Sequence, residues 1–193
     1  MTTIDGSKIR LRDMHVDDLP FFAEWQEIGQ AWQKLDGPYY PHNALTDERK
    51  EEMRARILGG DLPDPRTRLI IADHTTDQLI GMVSRYWISE ETQWTAIGIV
   101  LYDPAQWGKG IGYEALGLWS QYLFNAMPQI VRLDLRTWSG NVGMMKLAEK
   151  LGYLEEARFR MARIVEGTYY DGLGYGVLRE EWNLRYPQGF TAE

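Results

Sequence analysis

The sequence contains no cysteine, and this absence excludes several kinds of chemistry at once. Without cysteine there are no disulfides, no thiolate nucleophile and no cysteine-ligated metal. Histidine is scarce as well, and the three histidines lie far apart without the spacing of a zinc site: His15, His42 and His74. We therefore expect no bound metal.

Long apolar runs and an excess of basic charge are also missing. No apolar run approaches the roughly 18 residues that span a bilayer, and the opening MTTIDGSKIRLRD lacks the apolar centre of a signal peptide. We therefore expect a cytoplasmic protein that does not bind membranes. The formal net charge is −7, from 21 basic and 28 acidic residues. This charge disfavours nucleic acid as a partner and suits a cationic one, such as an amine.

What remains is the composition of an ordinary folded chain. Its 193 residues are 44% hydrophobic, and no repeat or long linker divides them, which predicts a single domain over residues 1–193. The apolar patterns predict the element order β-α-α-β-β-β-α-β-α-β-β, in which antiparallel hairpins lead into a strand–helix–strand crossover. The predicted class is α/β, with a mixed, mostly antiparallel sheet and helices on both faces.

The segment YDPAQWGKGIGYEAL (residues 102–116) carries the clearest functional signal. It joins a predicted strand to a helix predicted from about Gly110 to Ala126, and its alternating glycines would let the backbone approach a ligand closely. A helix N-terminus adds unpaired N–H groups and the positive end of the dipole, so the segment predicts a diphosphate site. It is not a Walker A loop, because Gly110 follows Lys109, and its glycine spacing is not that of a dinucleotide fingerprint.

This segment resembles the acetyl-CoA-binding motif of the GNAT superfamily of N-acetyltransferases. Two later segments add to the resemblance. TWSGNVGMMKLAEKLGY (residues 137–153) is similar to the second conserved region of the superfamily. EGTYYDGLGYGVLREEW (residues 166–182) is similar to the closing hairpin of the subgroup that acetylates ribosomal-protein N-termini, spermidine and related amines. The resemblance runs from about Lys8 to Trp182.

The resemblance implies a sheet that splays open beside the glycine turn and takes the pantetheine arm of acetyl-CoA into the gap. The diphosphate would rest on the backbone N–H groups of residues 107–112, with Lys109 as a further phosphate contact. The strand before the turn would offer backbone groups to the pantetheine, and an asparagine would bond to it from across the gap. The implied cofactor-binding residues are Val100, Tyr102, Trp107, Gly108, Lys109, Gly110, Ile111, Gly112 and Asn141. The superfamily usually has Gln or Arg where this chain has Trp107.

The catalytic residues of the family are not all present. Many members place a tyrosine seven residues after the conserved asparagine as a general acid, and this chain has Ala148 there. The reaction must then rest mainly on holding the amine against the thioester, with strand N–H groups stabilising the oxyanion. A group must still take a proton from the ammonium. Asp171 is the first candidate and Glu91 the second, and a purely structural role in a turn is the alternative for both.

The predicted function is transfer of the acetyl group of acetyl-CoA to a primary amine, either a protein N-terminus or a small polyamine-like molecule. Two alternatives stay open: a non-catalytic acyl-CoA-binding or regulatory protein, and an aminoglycoside acetyltransferase, which acidic residues in the acceptor cleft would favour. Paired assemblies are common in the superfamily, so a homodimer is a further expectation. Four aromatic residues lie in the region that forms the acceptor wall in this fold: Trp25, Trp32, Tyr39 and Tyr40.

Overall fold

The computed structural model describes residues 1–60 and 62–191, which form one eight-stranded sheet with helices on both faces. The strands are β1 (Thr3–Asp5), β2 (Ile9–Arg12), β3 (Arg68–Asp73), β4 (Leu79–Ser89), β5 (Trp94–Leu101), β6 (Arg132–Trp138), β7 (Leu154–Val165) and β8 (Thr168–Leu178). The α-helices are α1 (Leu19–Trp25), α2 (Asp47–Gly59), α3 (Ile111–Ala126), α4 (Val142–Leu151) and α5 (Arg179–Arg185).

The strand order is β1-β2-β3-β4-β5-β6-β8-β7, and only the central β5–β6 pair is parallel. One face of the sheet packs against α3, α4 and α5 in the larger hydrophobic core. The other face packs against α1 and α2 in a smaller core that includes Phe22 and Tyr102. The predicted mixed, mostly antiparallel α/β sheet with helices on both faces is confirmed.

The sheet opens between β5 and β6. These strands pair only through residues 95–97 and 133–135, whereas β5 continues to Leu101 without a partner on that side. The chain then passes through a short 3-10 turn and the glycine segment, and α3 begins at Ile111. The splayed sheet beside the glycine turn is therefore present, and we call this opening between residues 98–101 and the end of β6 the gap.

Two elements differ from the sequence prediction. The N-terminal segment forms two short strands, β1 and β2, rather than one. The residues after Leu178, expected to continue the last strand, form α5, because the Glu181 carboxylate accepts the Leu178 N–H at 2.8 Å and Trp182 is fully buried in the larger core. None of the helices in residues 1–60 and 62–191 is both long and apolar enough to cross a membrane.

Candidate active site

The glycine turn forms an open cradle at the wide end of the gap. Gly108 and Gly110 have φ angles of +75° and +84°, in the left-handed region that glycine enters without strain. Gly110 is the N-cap of α3, and a side chain placed at Gly108 would meet no heavy atom within 4 Å. Left-handed residues alternating along a turn direct successive N–H groups to one side, which makes an anion-binding concavity.

The donors of this cradle come from residues 108–112. The first intrahelical hydrogen bond of α3 runs from the Glu114 N–H to the Gly110 carbonyl at 3.1 Å, so Ile111 and Gly112 lie in the turn whose N–H groups have no intrahelical acceptor. The Trp107 N–H, which the sequence included in the cradle, instead donates to the Pro104 carbonyl at 3.0 Å. The backbone donor at 107 is therefore occupied.

The Trp107 side chain contacts the end of β5, at the edge of the gap. Its indole Nε1 donates to the Leu101 carbonyl at 3.0 Å, and its ring packs against the smaller core. The indole thereby ties the glycine segment to the end of β5 and satisfies one backbone acceptor of that strand. A Gln or Arg side chain, usual at this position in the superfamily, would lack the ring that fills this space.

The register of β5 changes one detail of the sequence prediction. The Tyr102 N–H donates to the Ile80 carbonyl at 3.0 Å, and Val100 lies opposite Met82 on β4. The backbone N–H and carbonyl groups of successive strand residues point to alternate sides. Those of Val100 and Tyr102 therefore point to β4, and those of Ile99 and Leu101 point to the gap. The prediction that Val100 and Tyr102 offer backbone groups at the gap does not agree with this register. Only the pairing register of β4 and β5 identifies Ile99, and the sequence pattern of one strand does not reveal that register.

Tyr102 has a packing role instead. Its side chain is 1% exposed, and its ring contacts three aromatic rings at centroid distances of 5.5–6.2 Å: Phe22, Trp25 and Trp32. Desolvation raises the pKa of its phenol, and in the described part of the chain its hydroxyl has no hydrogen-bond partner. Tyr102 therefore anchors α1 and the segment after it against the end of β5.

Asn141 makes two hydrogen bonds of its own at the far side of the gap. Its Oδ1 accepts the Met144 N–H at 3.0 Å, which caps α4, and its Nδ2 donates to the Leu35 carbonyl at 3.1 Å. Trp138 Nε1 donates to the same carbonyl at 3.0 Å. We call the connection between α1 and α2 (residues 26–46) the strap. Since Trp32 packs on Tyr102 after β5 and Leu35 is held after β6, the strap crosses from one side of the gap to the other.

The strap and the β7–β8 hairpin together form a wall on the acceptor side. Arg163 of β7 lies over the Tyr39 ring of the strap, with its guanidinium carbon 4.6 Å from the ring centroid. Arg163 is opposite Tyr170 of β8, whose ring contacts Trp138 at 4.8 Å. The Tyr39 and Tyr40 rings lie 4.9 Å apart. Of the four predicted aromatic residues, Trp25 and Trp32 thus belong mainly to the core, and Tyr39 and Tyr40 to the wall.

Asp171 holds a bulge in this hairpin. Its carboxylate accepts the Met161 N–H at 3.0 Å and Arg158 Nη1 at 2.9 Å, and these two bonds, the Met161 bond first, lower the pKa of the Asp171 carboxyl. Met161 has a φ of +54°, which a non-glycine residue keeps only when its surroundings fix it. A carboxylate that is engaged twice and has a lowered pKa is a weak base. The geometry favours the structural alternative for Asp171.

Glu91 lies away from the gap. It occupies the exposed turn between β4 and β5, where Ser89 Oγ donates to its carboxylate at 3.0 Å. Bonds from its own backbone N–H and from Ser89 lower the pKa of the Glu91 carboxyl. This turn precedes the paired end of β5, whereas the gap opens at the other end, about 20 Å along the strand at ~3.3 Å per residue. The structure therefore does not bring Glu91 to the site.

The strap carries two titratable side chains that the sequence reasoning did not select. Desolvation raises the pKa of the Asp36 carboxyl, and the nearby His42 acts in the opposite direction. The His42 ring lies against Trp32 with centroids 5.4 Å apart, and its buried Nε2 has no hydrogen-bond partner within the described residues. Their position in a Pro-flanked loop was the available signal, because loops on a rigid scaffold often carry functional groups. No group of three or more His, Asp or Glu side chains in the described ranges could hold a metal ion.

Comparison with known proteins agrees with this geometry. A family model described as an acetyltransferase (GNAT) domain matches residues 8–154. The chain is 22% identical over 186 residues to an uncharacterised N-acetyltransferase derived from the SPbeta prophage of Bacillus subtilis, which covers 94% of this chain and 96% of the relative.

Two solved structures show the same fold. A GNAT-family acetyltransferase from Bacillus anthracis superposes with a TM-score of 0.71 at 19% identity, covering 93% of this chain and 99% of the other. Spermidine N-acetyltransferase from Vibrio cholerae, solved with CoA and spermine, superposes with a TM-score of 0.71 at 17% identity, covering 92% and 99%. Because the family model spans most of the sequence, this chain belongs to the GNAT acetyltransferase family and is an acetyl-CoA-dependent acetyltransferase.

Proposed function

We propose that the enzyme acetylates the primary amine of a peptide or protein N-terminus and binds acetyl-CoA along the gap. The observation that carries this proposal is the gap itself, which has the glycine cradle at its wide end and the strap and hairpin wall on one side. Two features fit acetyl-CoA: the open space at Gly108 and the unpaired edge of β5 along residues 98–101. Pairing of two copies of the chain stays a prediction.

Each part of the gap has a role in this proposal. Acetyl-CoA supplies the acetyl group as a thioester. The N–H groups of residues 108–112, with Lys109, would hold the diphosphate, and Ile99 would pair with the pantetheine arm. Asn141 Nδ2 would give up its hydrogen bond to the Leu35 carbonyl and donate to that arm instead. Gap-facing N–H groups of β5 are the donors available to stabilise an oxyanion, and the wall would hold the amine in place for attack.

The strap supplies the base in this proposal. His42 Nε2 is buried and unpartnered among the described residues, so no internal hydrogen bond would have to break for it to take the proton of the ammonium, directly or through water. The Asp36 carboxyl lies near enough to act on His42 electrostatically and would stabilise the imidazolium. Asp171 and Glu91 lack these properties, because one is engaged by two donors and the other lies at the far end of β5.

The charges on the hairpin support a peptide acceptor over a polyamine. Arg158 neutralises both Glu155 and Asp171, and Arg132 pairs with Glu156. Arg163 is stacked on Tyr39 without an acidic partner in the described residues. A polyamine or an aminoglycoside needs free carboxylates for its several cationic groups, whereas a peptide N-terminus needs only one amine site and tolerates arginine beside its carbonyl and acidic groups.

The test is thiol release from acetyl-CoA with matched amines. The chain has no cysteine, so a thiol reagent reports only the CoA product. We expect turnover with short peptides that have a free N-terminus, a loss of turnover when the same peptides are N-terminally blocked, and faster turnover for acidic than for basic second residues. Preferential turnover of spermidine or an aminoglycoside would overturn the acceptor class, as would silence towards every amine by a protein that binds acetyl-CoA.

A further inference from the structure

The turn between β1 and β2 is fixed to the first turn of α3 by one buried carboxylate. Glu114 is 1% exposed and accepts hydrogen bonds from the Ser7 N–H, from Ser7 Oγ at 3.2 Å and from the Lys8 N–H at 3.0 Å. The fit is close, since a Cβ at Gly6 would lie 2.0 Å from Glu114 Oε1. A buried carboxylate is costly unless its oxygens are satisfied, and here three donors from one turn satisfy them.

This attachment places a lysine at the cradle. Lys8 Nζ donates to the Lys109 carbonyl at 2.9 Å, and it lies 3.2 Å from the position that a Cβ would take on Gly110. An ammonium group has three donors, so two remain for another acceptor. The side chain of Lys109 has no hydrogen bond or ion pair within the described ranges. Of the two lysines, Lys8 is therefore the one held at the rim of the cradle.

We propose that Lys8 is a ligand for a phosphate group of CoA and that Glu114 is the residue that positions it. The proposal rests on the acetyl-CoA site proposed above. Glu114 fixes the backbone of the β1–β2 turn, the turn directs Lys8 to the glycine loop, and the ammonium adds a positive charge beside N–H groups that already face an anion site. The ligand chemistry is a phosphate oxygen, either of the diphosphate or of the ribose 3′-phosphate.

Calorimetric titration with acetyl-CoA tests the role of Lys8. Lys8→Ala should weaken binding about tenfold or more, as expected for loss of a charge-assisted hydrogen bond, whereas Lys8→Arg should stay within about threefold of the unmodified protein. Lys50→Ala is the matched control, because Lys50 is a solvent-exposed lysine on α2, and should bind unchanged. Binding by Lys8→Ala that equals that of the unmodified protein overturns the proposal. Failure of the unmodified protein to bind acetyl-CoA would instead overturn the proposed site.

Dephospho-CoA separates the two phosphate sources. If Lys8 contacts the 3′-phosphate, the unmodified protein and Lys8→Ala should bind dephospho-CoA equally. If Lys8 contacts the diphosphate, the variant should lose the same factor with both ligands. Either pattern supports a phosphate contact, whereas an equal affinity of both proteins for both ligands contradicts it.

A double-mutant cycle tests the positioning role of Glu114. Glu114→Gln should weaken acetyl-CoA binding while keeping most of the packing, and the effect should nearly vanish when Lys8 is already alanine. The melting temperatures of the variants report any structural loss separately. If Glu114→Gln weakens binding by the same factor with and without Lys8, Glu114 does not act through Lys8.

Discussion

At the scale of single residues, several polar side chains beside the gap already have partners inside the protein. Asp171 accepts two hydrogen bonds from its own hairpin, and Trp107 donates to the Leu101 carbonyl. His42 differs, because its Nε2 is buried without a partner in the described residues. A satisfied group must give up a hydrogen bond before it can act on a substrate, whereas an unpartnered nitrogen can accept one from the substrate without breaking a bond inside the protein.

The contrast between His42 and Asp171 gives a prediction about the base. His42→Gln should lower kcat/KM about a hundredfold at neutral pH, and the loss should shrink at alkaline pH, where the amine is already neutral and needs no base. Asp171→Asn should lower kcat/KM less than about tenfold at every pH, because it disturbs only the bulge. The measurement is a pH–rate profile of thiol release with one peptide. A large, pH-dependent loss in Asp171→Asn with little effect in His42→Gln would restore the base predicted from the sequence.

At the scale of elements, the strap depends on contacts that are distant in sequence. One carbonyl, that of Leu35, accepts from both Trp138 and Asn141, and the latter residue is 106 positions away. These bonds hold the strap across the gap, and the β7–β8 hairpin packs beside the strap to complete the wall. The position of the acceptor wall is therefore set by the end of β6 and the start of α4.

This arrangement predicts how the strap can be loosened without damaging α4. Asn141→Asp should keep the helix cap, since Asp caps as well as Asn, but should lose the donor to Leu35. Trp138→Phe should keep an aromatic ring and remove the other donor, at about 1–3 kcal/mol of stability, because the smaller ring also leaves part of the buried indole space empty. In the unliganded protein both variants should lose hydrogen-exchange protection in residues 26–46, and both should raise KM for the amine. Asn141→Asp should also weaken acetyl-CoA binding, because it loses the donor proposed for the pantetheine arm. Unchanged protection of the strap in both variants would show that these bonds do not hold it.

The same elements show what the sequence could and could not predict. The glycine turn and α3 follow from local patterns, and the observed bounds of α3, Ile111–Ala126, lie close to the predicted helix from about Gly110 to Ala126. The choice between Val100 and Ile99 at the gap depends on the pairing register of β4 and β5, which a single strand does not reveal. The contact between Leu35 and Asn141 is a tertiary contact without a local signal, and so is the burial of Trp182 that favours α5.

At the scale of the whole molecule, the net charge of −7 contrasts with the local charge at the site. Lys8 lies at the rim of the cradle, and Arg158 and Arg132 neutralise carboxylates of the β7–β8 hairpin. Away from the site, a largely buried ion pair between Asp13 and Arg66 joins the N-terminal segment to the residues before β3. Asp13 accepts the Thr2 N–H at 2.7 Å and Arg66 Nε at 2.8 Å, with both side chains of the ion pair largely buried.

This pair predicts a pH dependence of stability. Burial alone would raise the pKa of Asp13, but the bonds from Arg66 and Thr2 outweigh it and lower that pKa. A carboxyl with a lowered pKa in the folded state stabilises the protein fully above its unfolded pKa, about 3.9, and loses this contribution as the pH falls through the folded value. Asp13→Asn should therefore be less stable at pH 7, by about 3 kcal/mol, because Arg66 is left buried without its partner.

Urea unfolding between pH 2 and 7 measures this effect. The difference in unfolding free energy between the unmodified protein and Asp13→Asn should be constant above about pH 4 and should shrink below it, as Asp13 is protonated. Asp47→Asn is the control, because Asp47 pairs with Lys50 on the exposed surface and its loss should cost less than about 0.5 kcal/mol. A difference for Asp13→Asn that stays the same down to pH 2 would mean that the variant acts through packing, and that the charge of Asp13 does not stabilise the fold.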